Sequence, residues 1–395
     1  MMFHLGALGV INPLGRGKRA VARALFSGSR EGLVMRDDLL GERTVRVGAV
    51  AGDLPEIPPH LARFECRNNR LAMAALSEIK DDIKSCSARV GAHRIAVIMG
   101  TSTSGIADAE TALAERLTKD AWPNGYRYTR QEVGNLAEFV AEYLELEGPA
   151  YTIATACSSS AKVFASAQRL MAMDLCDAAV IGGVDTLCRM TLGGFASLEA
   201  LAKDYCNPFS RNRDGINIGE GAAVFLMTRE PAIVSLLGVG ESSDAHHVSA
   251  PHPEGAGAEL AMMRALEASR LKPEDIAYIN LHGTGTELND LMESRAVRRI
   301  FGTRPPCSST KAMTGHMLGA AGANEAAFLW LMLHPDYSNG FVPPHIWDGE
   351  VDPALAPLNL AERECRLTSG QRIAALSNSF AFGGNNASVV MGREW

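Results

Sequence analysis

A chain of 395 residues with net charge −7, 47% hydrophobic and 21% charged residues can bury a large core and offers no general cationic surface for nucleic acid. Its eight scattered cysteines, with no CxxC pair, argue against a zinc site and against a disulfide framework. No run reaches the ~18 uninterrupted apolar residues of a membrane span, so a cytoplasmic α/β protein of one large unit or two fused halves is expected.

Taken in chain order, FHLGALGVI (3–11) reads as a strand entering an Asn-Pro-Gly turn, without the basic lead of a signal peptide. A helical pattern covers 68–84. RIAVIMGTSTSG (94–105) is a strand ending in a Ser/Thr-rich turn, and a second helical pattern covers 131–146. YTIATACSSS (151–160) is a strand that ends at a cysteine with a helical run behind it, and AAVIGGVDTL (178–187) is another strand. Strands alternating with helices predict an α/β fold with buried sheets.

The second part repeats similar pieces in similar order. VSLLGVGESSD (234–244) opens it, and AYINLHGTGTELND (277–290) echoes RIAVIMGTSTSGIAD (94–108). GHMLGAAGANEAAFLWLML (315–333) reads as a helix, and AALSNSFAFGGNNASVVM (374–391) holds the last two strands. The pattern predicts a duplicated core, residues 1–235 and 236–395, without a flexible linker.

Four places carry reactive groups. Cys157 stands where a strand turns into a helix, against free backbone N–H groups and the positive end of the helix dipole. A thiol there is expected to ionise easily and to act as a nucleophile; the alternative is a buried structural cysteine. His282 follows an apolar strand directly. Lys311 and His316 stand five apart, with Glu325 further along a small-residue helix. SNSFAFGGNN ends in a glycine turn whose N–H groups are free to face a ligand. Singly these are a structural histidine, a salt bridge and a plain turn. Together they suit acyl transfer to a thiolate, with neutral imidazoles as hydrogen-bond donors and paired amides holding an oxyanion.

The sequence resembles the elongating β-ketoacyl-acyl-carrier-protein synthases, on TACSSS, NPFSRNRDGINIGEGAA, HGTGT, TKAMTGHMLGAAGANE and NSFAFGG in that order. The resemblance implies a thiolase fold, a duplicated βαβαβαββ core in α-β-α-β-α layers. It implies decarboxylative Claisen condensation of malonyl-carrier with an acyl chain on Cys157. His282 and His316 would face the malonyl thioester, and Lys311 with Glu325 would organise the site. Thr284 and Thr286 would contact the phosphopantetheine arm. Phe382 would gate the site, its N–H forming an oxyanion hole with that of Cys157. No metal or redox cofactor is implied, since loss of carbon dioxide drives the carbon–carbon bond.

A thiolase using coenzyme A is disfavoured, because the C-terminal glycine loop has no second cysteine. A non-catalytic tunnel-shaping subunit is disfavoured by the intact Cys157, His282, Lys311 and His316. The chain departs from the family in lacking a helical piece after VFLMTREPA (224–232), in DGI for DGF, and in GGNN for GGTN. The short form and FECRNNRLAMAAL (64–76) look more like ketosynthases of bacterial aryl-polyene clusters. A two-fold dimer, homo or hetero with a related ketosynthase or chain-length factor, is expected. An acidic acyl carrier protein is expected on Arg63, Arg67, Arg70, Arg127 and Arg130. Thr103 is expected at the acyl-pocket constriction, leaving room for long or rigid chains.

Overall fold

The computed structural model describes residues 2–41, 43–367 and 372–394. Its main sheet is built from β1 (Phe3–Asn12), β2 (Ile95–Gly100), β3 (Ala150–Ile153), β4 (Ala178–Asp185) and β5 (Gly221–Thr228), followed by β6 (Val234–Ser243), β7 (Ile276–Asn280), β8 (Cys307–Ser308), β9 (Ile373–Ala381) and β10 (Asn385–Arg393). Every residue of β2, β4, β5 and β9 is buried. This is why β2, β4 and β5 read as near-continuous apolar runs rather than alternating ones.

The strands lie in the order β8-β7-β9-β10-β6-β1-β5-β4-β2-β3. Each set of five has the same internal order: third, second, fourth, fifth, first. Each also has the same directions, parallel across its third, second and fourth strands and antiparallel beyond. The two sets meet where Phe3 and His4 pair with Leu236 and Ser235.

The helices that place the site are α1 (Arg67–Leu76), α2 (Ile106–Lys119), α3 (Asn135–Tyr143), α4 (Ser159–Ala172), α5 (Ala256–Ser269), α6 (Glu287–Phe301), α7 (Lys311–Thr314) and α8 (Ala321–Leu333). The pair α4 and α8 packs between the two sets of strands. Helices α1 and α3 cover the outer face of the first set, and α5 and α6 that of the second. The layering is therefore the α-β-α-β-α arrangement expected. All thirteen residues of α8 are buried, as a helix walled in on all sides requires. A Cβ on Gly322 would come within 2.7 Å of the Ala161 nitrogen, so only glycine permits α8 and α4 to approach this closely.

Three expected helices differ in extent. The run 68–84 divides into Arg67–Leu76 and Lys80–Val90. The break turns Glu78 back onto the first strand, where its carboxylate accepts the Val10 N–H (3.0 Å) and pairs with Lys18 (3.2 Å). The run 131–146 is helical only over Asn135–Tyr143, behind a 3-10 turn at Tyr128–Gln131. The run 315–333 is α-helical only from Ala321. Gly315 (φ 70°) and Leu318 (φ 48°) take left-handed backbone there and hold His316 on a loop. Among the described residues no helix is long and apolar enough to cross a membrane.

Candidate active site

The turn from β3 into α4 is strained and laced. Ala156 has φ 50°, a conformation unfavourable for a residue with a Cβ and held only by its surroundings. The serines behind the cysteine supply the hold. Ser158 Oγ donates to the Thr155 carbonyl (2.9 Å) and Ser159 Oγ to that of Ala156 (2.6 Å), while Ser159 Oγ accepts the Thr155 N–H (2.8 Å). Ser160 Oγ accepts the Ala323 N–H from α8 (2.8 Å). The small polar run after Cys157 thus fixes where its sulfur points.

Cys157 Sγ lies 3.0 Å from His316 Nε2. The thiol does not have the depressed pKa expected from the sequence. Burial pushes it up to about 12, against the pull of the Lys311 charge and of the Phe382 and Cys157 N–H groups facing the sulfur. Desolvation outweighs the helix end. The resting nucleophile is a thiol, and His316 is the base within reach of its proton.

His282 follows β7, and its ring lies 5.3 Å from that of His316, nearly perpendicular. Its sulfur-facing neighbourhood is compact: Cys157 Sγ and one nitrogen of each imidazole lie within 4.8 Å of one another. Burial first, then Lys311, holds both imidazoles well below their ordinary range, so both are neutral and each carries one N–H to donate. Lys311 Nζ donates to the His282 carbonyl (2.5 Å) and to Glu325 Oε1 (2.5 Å), with the two side chains 1% and 2% exposed.

A cavity of about 390 Å³ is lined by Cys157, His282, His316, Thr284, Thr286 and Phe382, among others. The two threonine hydroxyls bond each other at 2.8 Å. Phe382 is 39% exposed and packs against Phe195 at 5.5 Å. It precedes Gly383 (φ 77°) and Gly384 (φ 72°). Lys311 and Glu325 stand behind the imidazoles.

Two expectations are corrected. Thr103 does not line this cavity: it is buried, and its N–H and Oγ1 both bond Asp185 Oδ1 (2.8 and 2.7 Å). Nor do the arginines form a free basic patch. Arg67 makes a two-pronged pair with Glu220 (2.9 and 2.5 Å), whose carboxylate is 1% exposed and needs that charge. Arg63 pairs with Glu142 and Arg70 with Glu65. Arg130 donates to the Ala62 and Arg63 carbonyls. Arg127 alone of the five is exposed without such an engagement among the described residues.

Reading the sequence missed Glu293. Its two oxygens accept the His282 and Gly283 N–H groups, each at 2.7 Å, and burial pushes its carboxyl up to about 7. A signal was present, since Glu293 falls on the inward face of α6 with Met292, Ala296 and Val297. An acid on an apolar face marks a buried carboxylate with partners.

Residues 9–232 match the family model "Beta-ketoacyl synthase, N-terminal domain" and residues 233–346 the corresponding C-terminal domain. The 3-oxoacyl-[acyl-carrier-protein] synthase 2 of Rhizobium meliloti is 36% identical over 274 residues, 63% of this chain and 62% of that protein. The Staphylococcus aureus enzyme of the same name is 29% identical over 365 residues, 86% and 89% of the two chains. Among solved structures, the ketosynthase ApeO of Xenorhabdus doucetiae, in complex with its chain length factor ApeC, superposes with a TM-score of 0.94 at 45% identity over 99% of this chain and 98% of that one. The ishigamide ketosynthase/chain length factor gives 0.87 at 28% over 99% of both.

Proposed function

The chain belongs to the β-ketoacyl synthase family, and we propose that it is the catalytic ketosynthase of a chain-elongating pair, acting on carrier-bound substrates in polyene or fatty-acid assembly. The observation that carries this reading is the 3.0 Å approach of His316 to Cys157 with a second neutral imidazole in the same cavity. A tunnel-shaping subunit has no use for that trio.

In the first half-reaction the Cys157 thiol passes its proton to His316 and the sulfur attacks the acyl thioester carbonyl. The N–H groups of Phe382 and Cys157 hold the oxyanion, and the carrier's thiol leaves with a proton. In the second, the malonyl thioester oxygen accepts from His282 and His316. The carbon–carboxylate bond breaks, carbon dioxide leaves, and the enolate carbon attacks the acyl-Cys157 carbonyl. The collapsing intermediate expels the Cys157 sulfur as thiolate, which takes up one proton from water. Neutral donors suit this step, since the carboxylate must leave rather than be held as an ion pair. The chemistry needs no resident metal or cofactor.

The partner reading rests on exposed apolar surface. Helix α2 buries only Ala112, while Leu113, Leu117, Trp122, Tyr128 and Val133 stand out in solvent. Strand β3 pairs only with β2 among the described residues, leaving its outer edge open. An open strand edge and an exposed apolar helix face are each surfaces suited to another protein. The ApeO–ApeC complex favours a chain-length-factor homologue over a second copy. The acidic acyl carrier protein would approach with Arg127 as its free cation, and the eight free cysteines support a reducing cytoplasmic location.

Intact-mass analysis of the chain, alone and with a candidate partner, against a panel of acyl-carriers tests the proposal. One acyl adduct on Cys157 is expected, lost in Cys157→Ala. His316→Ala is expected still to load, about a hundredfold more slowly. No adduct from any carrier would overturn the catalytic reading.

A further inference from the structure

We propose that His345 is a positioning residue for His282, a neutral imidazole that clamps the two groups pressing on Gly283. The inference rests on the assignment of His282 to malonyl decarboxylation. Gly283 follows His282 directly and has φ 38°. A Cβ there would stand 2.5 Å from the Ser309 Cβ and 2.9 Å from the Phe209 Cε2. The backbone beside the catalytic imidazole is therefore pinched between Ser309 and the Phe209 ring.

His345 holds both jaws. Its Nδ1 accepts the Ser309 N–H at 3.1 Å, and its Nε2 donates to the Pro208 carbonyl, the peptide leading into Phe209, at 3.0 Å. An amide N–H only donates and a carbonyl only accepts, so these partners define the tautomer: lone pair on Nδ1, hydrogen on Nε2. Protonation would put a hydrogen where the Ser309 N–H points. Burial pushes the imidazole down to about 4, which keeps it neutral at ordinary pH.

Each jaw is tied onward to the site. Ser309 Oγ donates to the Gly283 carbonyl (2.6 Å) and accepts the Lys311 N–H (3.3 Å). The Phe209 N–H reaches Asp290 Oδ2 on α6 (2.8 Å), and the Phe209 ring stands edge-on to His345 at 6.0 Å. His345 is also the buried end of a strap. Asp348 accepts from Asn207 (2.6 Å), Ser210 (2.8 Å) and Asn212 (2.9 Å), and Asp352 pairs with Arg213 (2.5 Å). Residues 345–352 thus fasten the 207–213 loop of the first half onto the His282 turn of the second. Nothing else among the described residues bridges Ser309 to Pro208 through one side chain.

The test compares His345→Ala, His345→Asn and His345→Gln with wild type and with His282→Ala. Three quantities are read: carbon dioxide release from malonyl-carrier, acyl loading of Cys157 by intact mass, and thermal midpoint. His345→Ala is expected to slow decarboxylation by about ten- to a hundredfold, the scale of a small misplacement of a reacting group, while loading stays within about threefold. His345→Asn keeps an acceptor near the Nδ1 position and is expected to recover part of the lost decarboxylation. Equal losses in both half-reactions, or none in either, would overturn the positioning role. Should His345→Ala fail to fold, His345→Gln is read for the same split; it retains a donor toward Pro208, while its acceptor lies one bond beyond the Nδ1 position that Ser309 uses. If His282→Ala itself decarboxylates normally, the parent assignment falls and this inference with it. If His282→Ala is impaired and the His345 variants are not, only this inference falls.

Discussion

The turns after the second strand of each half, residues 101–104 and 281–286, occupy matching places in the two strand orders and are filled in opposite ways. In the first, Asp185 at the end of β4 takes hydrogen bonds from Thr101 Oγ1, Ser102 N and Oγ, and Thr103 N and Oγ1, all at 2.7–2.8 Å. The turn is sealed by a carboxylate from the neighbouring strand. In the second, the matching strand β9 ends at Ala381, so that strand end supplies no carboxylate. The anion comes instead from behind, where Glu293 on α6 takes the His282 and Gly283 N–H groups. What is filled by Asp185 in one half is cavity in the other, and an imidazole faces it. One topology thus serves as a wall in the first half and as a reaction centre in the second, according to where the turn finds its acceptor.

The largest expected effect falls on the buried ion pair that only the second turn possesses. Lys311→Met strands Glu325, which is 1% exposed, and is expected to cost about 3–5 kcal/mol by chemical denaturation. Adding Glu325→Gln should recover most of it. Failure of the double variant to recover would mean that the lysine acts chiefly through the His282 carbonyl. Next, His282→Ala is expected to slow decarboxylation by about a hundredfold to a thousandfold. Thr101→Val, in the sealed turn, should leave the rate within about threefold and cost roughly 1 kcal/mol of stability. Equal kinetic losses would erase the distinction between the turns.

A further effect is written in pH. Burial raises the Glu293 carboxyl from an ordinary 4.5 to about 7. Its contribution to stability is therefore fully present below pH 4.5 and is lost as the pH rises through about 7. The loss is up to about 3 kcal/mol. Glu293→Gln removes this titration, so unfolding free energy measured at pH 5 and pH 8 should differ less than in wild type. Asp290 and Glu325, raised by burial in the same direction, keep a remaining slope. An unchanged difference would place the shifted titration elsewhere.

Much of this comparison was legible in the sequence, and the reasons differ by residue. The strands and the echo of 94–108 in 277–290 were readable because buried strands are continuous apolar runs ended by Gly/Thr turns. Cys157, His282, Lys311 and His316 were readable because reactive side chains at strand ends are few. Their electrostatics were not. The Cys157 thiol is raised by burial contributed from distant segments, which no local pattern reports. Thr103 and Arg67 were misplaced for a related reason. Each is claimed by a carboxylate far along the chain, Asp185 and Glu220, and the pairing exists only once the strands are stacked. Helix limits failed where a side chain redirects the backbone, as Glu78 does between the two helices of 67–90.

The central claim is that Cys157 of the first half carries the acyl group, while His282 and His316 of the second hold the malonyl thioester oxygen during decarboxylation. Carbon dioxide release from malonyl-carrier by folded Cys157→Ala protein tests it most directly. The account expects no acyl-enzyme, with release retained within about tenfold of wild type, because the donors at the thioester oxygen are His282 and His316. Release falling as far as in His282→Ala, with the fold intact, would contradict it and make the sulfur itself part of the decarboxylating site.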